Sequence, residues 1–190
     1  VLTSSDNGTS WTSRTLGSSD NLRSVTYGNN LFVAVGQGGV IFTSTDGTSW
    51  TSRTSGTTNT LNGVTYGNNI YVTVGGNGYI LSSSDGTTWT SRTSPTDINR
   101  TAISFGNDTF VSVGSTGSII TSSDNGTTWD NATSGTTTGK ESISFGNNTF
   151  VTGGGSVSIL TSSDNGSSWT SRDSGISSGS IEIQGMSYKE

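Results

Sequence analysis

SSDNGTSW at Ser4–Trp11 returns as SSDNGTTW at Ser122–Trp129 and SSDNGSSW at Ser162–Trp169, and one residue shorter as STDGTSW at Ser44–Trp50 and SSDGTTW at Ser83–Trp89. The tryptophans Trp11, Trp50, Trp89, Trp129 and Trp169 stand 39, 39, 40 and 40 residues apart. A period of about 40 residues belongs to propeller blades and related repeat arrays. Working outward from the copy at Ser83, the unit 59–93 divides into four short strands. Val64-Thr65-Tyr66 alternates, Gly67-Asn68-Asn69 turns, and Ile70 to Val74 forms a β-branched second strand. Gly75 to Gly78 turns again, Tyr79 to Ser82 is a third strand, and Trp89 to Arg92 follows the repeated phrase as a fourth. Gly and Asn tolerate positive φ at low cost, which places the turns.

The other units align with this one. The reading is an all-β propeller of four-stranded antiparallel blades at about 20–54, 59–93, 98–133 and 138–173. Residues 1–15 supply the third and fourth strands of a further blade, and IQGMSY within residues 181–188 reads as its first strand, so the ends form a composite or incomplete fifth blade. No stretch corresponds to its second strand. A five-bladed ring with a three-stranded last blade is favoured over a fragment of a larger ring; Val1 in place of Met reads as a processed chain or a fragment. Stacked units share a core that one unit cannot bury alone, and radial closure protects strand edges.

Composition narrows the function classes. Only 27% of the residues are hydrophobic, concentrated at the same positions of each repeat. The net charge is −5 and the few cations form no run, which disfavours nucleic acid as a partner. With neither Cys nor His, the usual zinc, copper and haem ligand sets are missing, so no metal or cofactor is expected. No segment is long and apolar enough for a membrane span.

The phrase S-x-D-x-G-x-x-W resembles the Asp-box, or BNR repeat, of sialidase-like β-propellers. The string FVAVGQGGVIFTSTDGTSWTSR from Phe32 to Arg53 looks like a blade of the photosystem II assembly factor Ycf48 group and its bacterial and phage relatives. The resemblance implies a propeller fold and places the repeated turn on the rim opposite the usual binding face. Asp6, Asp46, Asp85, Asp124 and Asp164 then have a structural use, since an Asp carboxylate can accept N–H groups of the turn that follows it. The tryptophans cover the hairpin. Sialidase chemistry is a weaker expectation. Arg14, Arg53, Arg92 and Arg172 each stand three residues after a repeated tryptophan, with Ala132 in that place after Trp129, and point to separate places on the rim; all the glutamates (Glu141, Glu182 and Glu190) lie in the C-terminal third.

Candidate binding residues lie where the copies disagree. Just before each first strand the sequence reads DNLR, NTLN, DINR, GKES and IEIQ. Arg23, Asn62, Arg100, Lys140, Glu141 and Gln184 are expected to ring the mouth of the central channel, flanked by the turns at Gln37, Gly76 and Ser115. Polar groups on a concave rim suit a protein partner or a glycan. The expectation is a non-catalytic binding or structural module of an extracellular or virion-associated protein, within a larger assembly. Alternatives are a Ycf48-like factor docking on a protein complex, a sialidase-type glycosidase, and an engineered or amplified repeat protein without a ligand.

Overall fold

The structure is a computed structural model and describes residues 1–176 and 182–187. It contains four four-stranded antiparallel sheets and one two-stranded sheet, each a simple meander. β1 (Leu2–Thr3) and β2 (Thr12–Ser13) form the small sheet. Blade 1 holds β3 (Leu22–Gly28), β4 (Leu31–Gly36), β5 (Ile41–Ser44) and β6 (Thr51–Arg53). Blade 2 holds β7 (Leu61–Gly67), β8 (Ile70–Gly75), β9 (Ile80–Ser83) and β10 (Thr90–Arg92). Blade 3 holds β11 (Arg100–Gly106), β12 (Thr109–Gly114), β13 (Ile119–Ser122) and β14 (Asp130–Ala132). Blade 4 holds β15 (Lys140–Gly146), β16 (Thr149–Gly154), β17 (Ile159–Ser162) and β18 (Thr170–Arg172). The first strands are longer than the alternation of Val64 to Tyr66 predicts, because they run on to the channel entrance. Residues 182–187 carry no strand where the sequence suggests one; residues 181 and 188 of that segment lie outside the described residues.

Local chemistry explains each blade. Asn29 and Asn30 both adopt positive φ (45° and 57°), the backbone of a two-residue hairpin whose twist suits its strands. Directly opposite across that hairpin, Tyr27 and Phe32 bring their rings to 4.5 Å, and the other three blades repeat the pair.

Blades are joined through apolar seams. Val33, Val35 and Ile41 of blade 1 meet Leu61, Val64, Tyr71 and Leu81 of blade 2. Val72, Val74 and Ile80 meet Ile103, Phe110, Ile120 and Trp129. Val111, Val113 and Ile119 meet Ile143, Phe150 and Leu160. Each of these three seams therefore takes two valines from the second strand of one blade and a set of aromatic and branched aliphatic residues from the next. The blades approach closely at the end of each first strand: a Cβ on Gly67 would lie 2.1 Å from Cγ of Phe105, and one on Gly28 2.1 Å from Cδ1 of Tyr66. Only glycine lets the neighbouring ring lie flat on the backbone there. Tyr71 adds a hydroxyl that donates to the Gly28 carbonyl across the seam.

Residues 1–13 and 182–187 both reach the fifth sector. Thr3 faces the turn of blade 1, where a Cβ on Gly47 would lie 3.6 Å from its Cγ2. At the other end Ile183 donates its N–H to the Gly154 carbonyl (3.1 Å), and Ile183 and Met186 lie over Gly153, where no side chain would fit.

Candidate functional site

The repeated turns form a self-contained rim. In the copy at Ser44, the serine hydroxyl donates to Oδ1 of Asp46 (3.0 Å) and accepts the N–H of Gly47 (2.9 Å). The same carboxylate oxygen accepts the N–H groups of Thr48 and Ser49, and Nε1 of Trp50 donates to the Gly47 carbonyl (3.0 Å). The longer copies absorb their extra residue as an asparagine in the left-handed region: Asn7, Asn125 and Asn165 have φ of 56°, 61° and 59°. These donors hold the carboxyls low. The Ser10 hydroxyl and then its N–H bring Asp6 to about 2. The Ser162 hydroxyl, followed by Ser168, brings Asp164 to about 2. The rim arginines are equally occupied. Nε of Arg14, Arg53, Arg92 and Arg172 donates to a hydroxyl of the adjacent third strand, at Thr3, Thr43, Ser82 and Thr161. No two of these side chains converge on a common ligand position.

The channel is built differently. Each first strand carries a β-bulge against its second strand, between Leu22 and Ser24, Leu61 and Gly63, Arg100 and Ala102, and Lys140 and Ser142. A bulge leaves one residue unpaired and re-aims its side chain. The unpaired residues are Arg23, Asn62, Thr101 and Glu141. Together with Gln184 they line a polar cavity of about 530 Å³. An adjoining cavity of about 270 Å³ shares Arg23, Asn62, Thr101, Glu141 and Gln184 and adds the next residue of each, Ser24, Gly63, Ala102, Ser142 and Gly185, with Ile103, Ile143 and Met186. All five sectors thus contribute one side chain at the same level.

This placement corrects two expectations. Arg100 and Lys140 are not on the channel; each is fully buried one residue before the bulge, where blades 1 and 2 have Leu22 and Leu61. Arg100 donates from Nη1 to the Ser118 hydroxyl (3.0 Å) and from Nη2 to that of Thr96, while its Nε has no partner among the described residues. Lys140 donates from Nζ to the Ser158 hydroxyl (2.7 Å). Burial pushes the Arg100 guanidinium down to about 10 and the Lys140 ammonium down as well. Sequence reading missed Thr101. The signal lies in counting back from the aromatic–glycine pair that ends the strand: Arg23, Asn62, Thr101 and Glu141 each stand five residues before Gly28, Gly67, Gly106 and Gly146.

Two channel residues also tie neighbouring blades. Asn62 Nδ2 donates to the Arg100 carbonyl (2.7 Å), and Thr101 Oγ1 donates to the Lys140 carbonyl. The turns expected around the mouth are laced to the strand entrances: Gln37 N–H donates to the Asn21 carbonyl (2.9 Å) and Asn77 N–H to Oδ1 of Asn99 (2.9 Å). A larger cavity of about 660 Å³ opens between blades 1 and 2, but Ser52 to Gly56 and the turn at Gly38 that line it belong to the repeated scaffold.

Four-stranded meanders arranged around a channel define a β-propeller. No family model matches the chain and no curated protein matches it. Solved structures do. The chain is similar to "YCF48 bound to D1 peptide" with a TM-score of 0.68 at 18% identity, covering 85% of this chain and 56% of that one. It is similar to "YCF48 from Cyanidioschyzon merolae" with a TM-score of 0.67 at 18% identity, covering 91% and 61%. The WD40 β-propeller domain of Doa1 follows with a TM-score of 0.59 at 15% identity, covering 80% and 53%. The chain thus spans between 53% and 61% of the length of these structures, which share its fold.

Proposed function

We propose that the chain is a non-catalytic binding propeller whose channel mouth takes an extended polypeptide segment. One observation carries the reading. At a level where each of the four blades offers one bulged side chain and the fifth sector offers Gln184, the copies present five different polar residues, Arg23, Asn62, Thr101, Glu141 and Gln184, whereas the rim is nearly identical from blade to blade. The lining pairs a cation with an anion and adds two carboxamides and a hydroxyl, a set that matches peptide N–H and C=O groups and a charged side chain at either end. A solved neighbour that is itself titled as bound to a peptide is consistent with this choice. Among the described residues the lining contains no aromatic ring on which a sugar could stack, so a glycan is the second choice. It also contains, among the described residues, a single carboxylate, Glu141, which favours binding over paired-acid hydrolysis. We place the module on an extracellular or virion-associated protein of the Asp-box type, on the strength of its Cys-free, hydroxyl-rich sequence.

A random-peptide display library selected against the chain, with a glycan array in parallel, tests the reading. Enriched peptides should lose about tenfold or more in affinity to both Arg23→Ala and Glu141→Gln. Peptide affinity unchanged in both variants, binding confined to the glycan array, or turnover of a fluorogenic sialoside above background would each overturn it.

A further inference from the structure

The cavity of about 660 Å³ between blades 1 and 2 is walled mostly by repeated scaffold, but two of its residues break the repeat. The residue that follows the turn after each second strand is Val40 in blade 1, Ser118 in blade 3 and Ser158 in blade 4; in blade 2 it is Tyr79. Asn59 is the second departure, since the other connectors carry Asp20, Ile98 and Thr138 in its place. Tyr79 is matched to what lies behind it. In blades 3 and 4 the serine accepts a hydrogen bond from a buried cation, Arg100 (3.0 Å) or Lys140 (2.7 Å). In blade 2 Leu61 replaces the cation, and the half-buried Tyr79 packs against the apolar cluster that holds Leu61, Val35 and Ile41. A ring fixed from behind thus forms part of the cavity wall.

The polar groups around that ring are largely unspent. Arg53 uses Nε on Thr43 Oγ1 (2.9 Å), and neither Nη has a partner among the described residues. Asn59 accepts from Asn77 Nδ2 at Oδ1 (2.9 Å), which leaves its own Nδ2 to donate. The Tyr79 hydroxyl likewise has no partner among the described residues, and no carboxylate among them lines the cavity. We propose that this cavity is a saccharide site, separate from the channel. A sugar ring has two kinds of surface, and the wall answers both. Its C–H face packs on the Tyr79 ring, and its hydroxyl or carboxylate oxygens accept from the Arg53 fork and the Asn59 amide. An extended peptide is a poorer match, because the side-chain carbonyl of Asn59 is already engaged and no carboxylate is present to accept its N–H groups. The channel has the opposite character, with Glu141 in its lining and no aromatic ring among the described residues.

An array of neutral and acidic glycans probed with the whole chain, followed by calorimetric titration of the glycans that bind, tests the proposal. At least one glycan should bind one to one, moving the amide resonances of Gly38, Gly56 and Asn59 and leaving those of Thr101 and Glu141 in place. Tyr79→Ser, which installs the residue of blades 3 and 4, should weaken binding by about tenfold or more, whereas Tyr79→Phe keeps the ring and should stay within about threefold. Arg53→Ala, which copies Ala132 of blade 3, should weaken binding by about tenfold as well, and it decides the matter if Tyr79→Ser lowers the melting temperature too far to be read. Glu141→Gln should leave glycan affinity unchanged while it weakens the channel peptide, so the two sites fail independently. No bound glycan, affinity equal in the wild-type and Arg53→Ala chains, a loss in Tyr79→Phe as large as in Tyr79→Ser, or glycan binding lost in Glu141→Gln would each overturn the proposal.

Discussion

Val25 and Val64 occupy the same position of the same strand in consecutive blades, yet one is 61% exposed and the other 6%. Trp11 and Trp129 differ in the same way, at 60% and 6%. The residues are alike, so the difference comes from what surrounds them: Val25 lacks the neighbouring second strand that covers Val64, and Trp11 belongs to a sheet of two described strands where Trp129 belongs to one of four. In a radial repeat the seam, not the blade, is the unit of stability. A repeated residue has as many energetic values as it has neighbours.

Paired substitutions can break this comparison. The largest contrast is expected for tryptophan. Trp129→Ala should destabilise by about 3–5 kcal/mol, as large aromatic deletions in cores do, and Trp11→Ala by about 1 kcal/mol or less; urea titrations of both variants measure the gap. Next comes the valine position. Ile103→Ala should cost about 2–4 kcal/mol against under about 0.5 kcal/mol for Val25→Ala. Equal losses within either pair would show that the open seam is as tightly packed as the closed ones. A smaller effect of opposite sign is expected at Arg100. Its cation is buried with only hydroxyl partners, in a place that blades 1 and 2 fill with leucine, so Arg100→Leu should raise stability by about 1 kcal/mol.

The smallest effects concern the rim and are read by pH. Folded carboxyls such as Asp6 and Asp164 titrate near 2, below their ordinary value of 3.8. Their contribution is complete above about pH 4 and is lost as pH falls towards 2. The melting temperature should therefore drop across that window. Asp164→Asn should flatten part of the drop, by a margin that solvent screening keeps small. A melting temperature that stays flat from pH 4 to 2 would remove the carboxylates from the account of the rim.

The sequence made the blades legible because its period repeats every determinant together: the asparagine hairpin after Tyr27, the glycine turn at Gly75 and the serine–aspartate turn at Ser83. The ring of channel residues was harder to read. A bulge adds one residue to the count without changing the composition, so Arg100 looked like the counterpart of Arg23 when Thr101 holds that place. Lys140 was misplaced on the same strand position. Nothing in residue type separates a cation at a channel mouth from one sealed behind Ser118 or Ser158; only the register against the second strand does. The open seam was legible as a missing second strand, but its consequence for Val25 was not, since exposure depends on a neighbour rather than on the residue itself.

The glycine-to-ring contact between blades has a polarity. Blades 1, 2 and 3 each offer a bare backbone on one flank, at Gly28, Gly67 and Gly106, and the ring comes from the blade that follows. Such a joint is heterologous, and repeated heterologous joints form a closed circle when the rotation per step divides the full turn, or an endless screw when it does not. Among the described residues, Tyr27 of blade 1 stands 55% exposed where Tyr66, Phe105 and Phe145 each cover the glycine of the blade before, so in blade 1 the ring half of this joint faces outward.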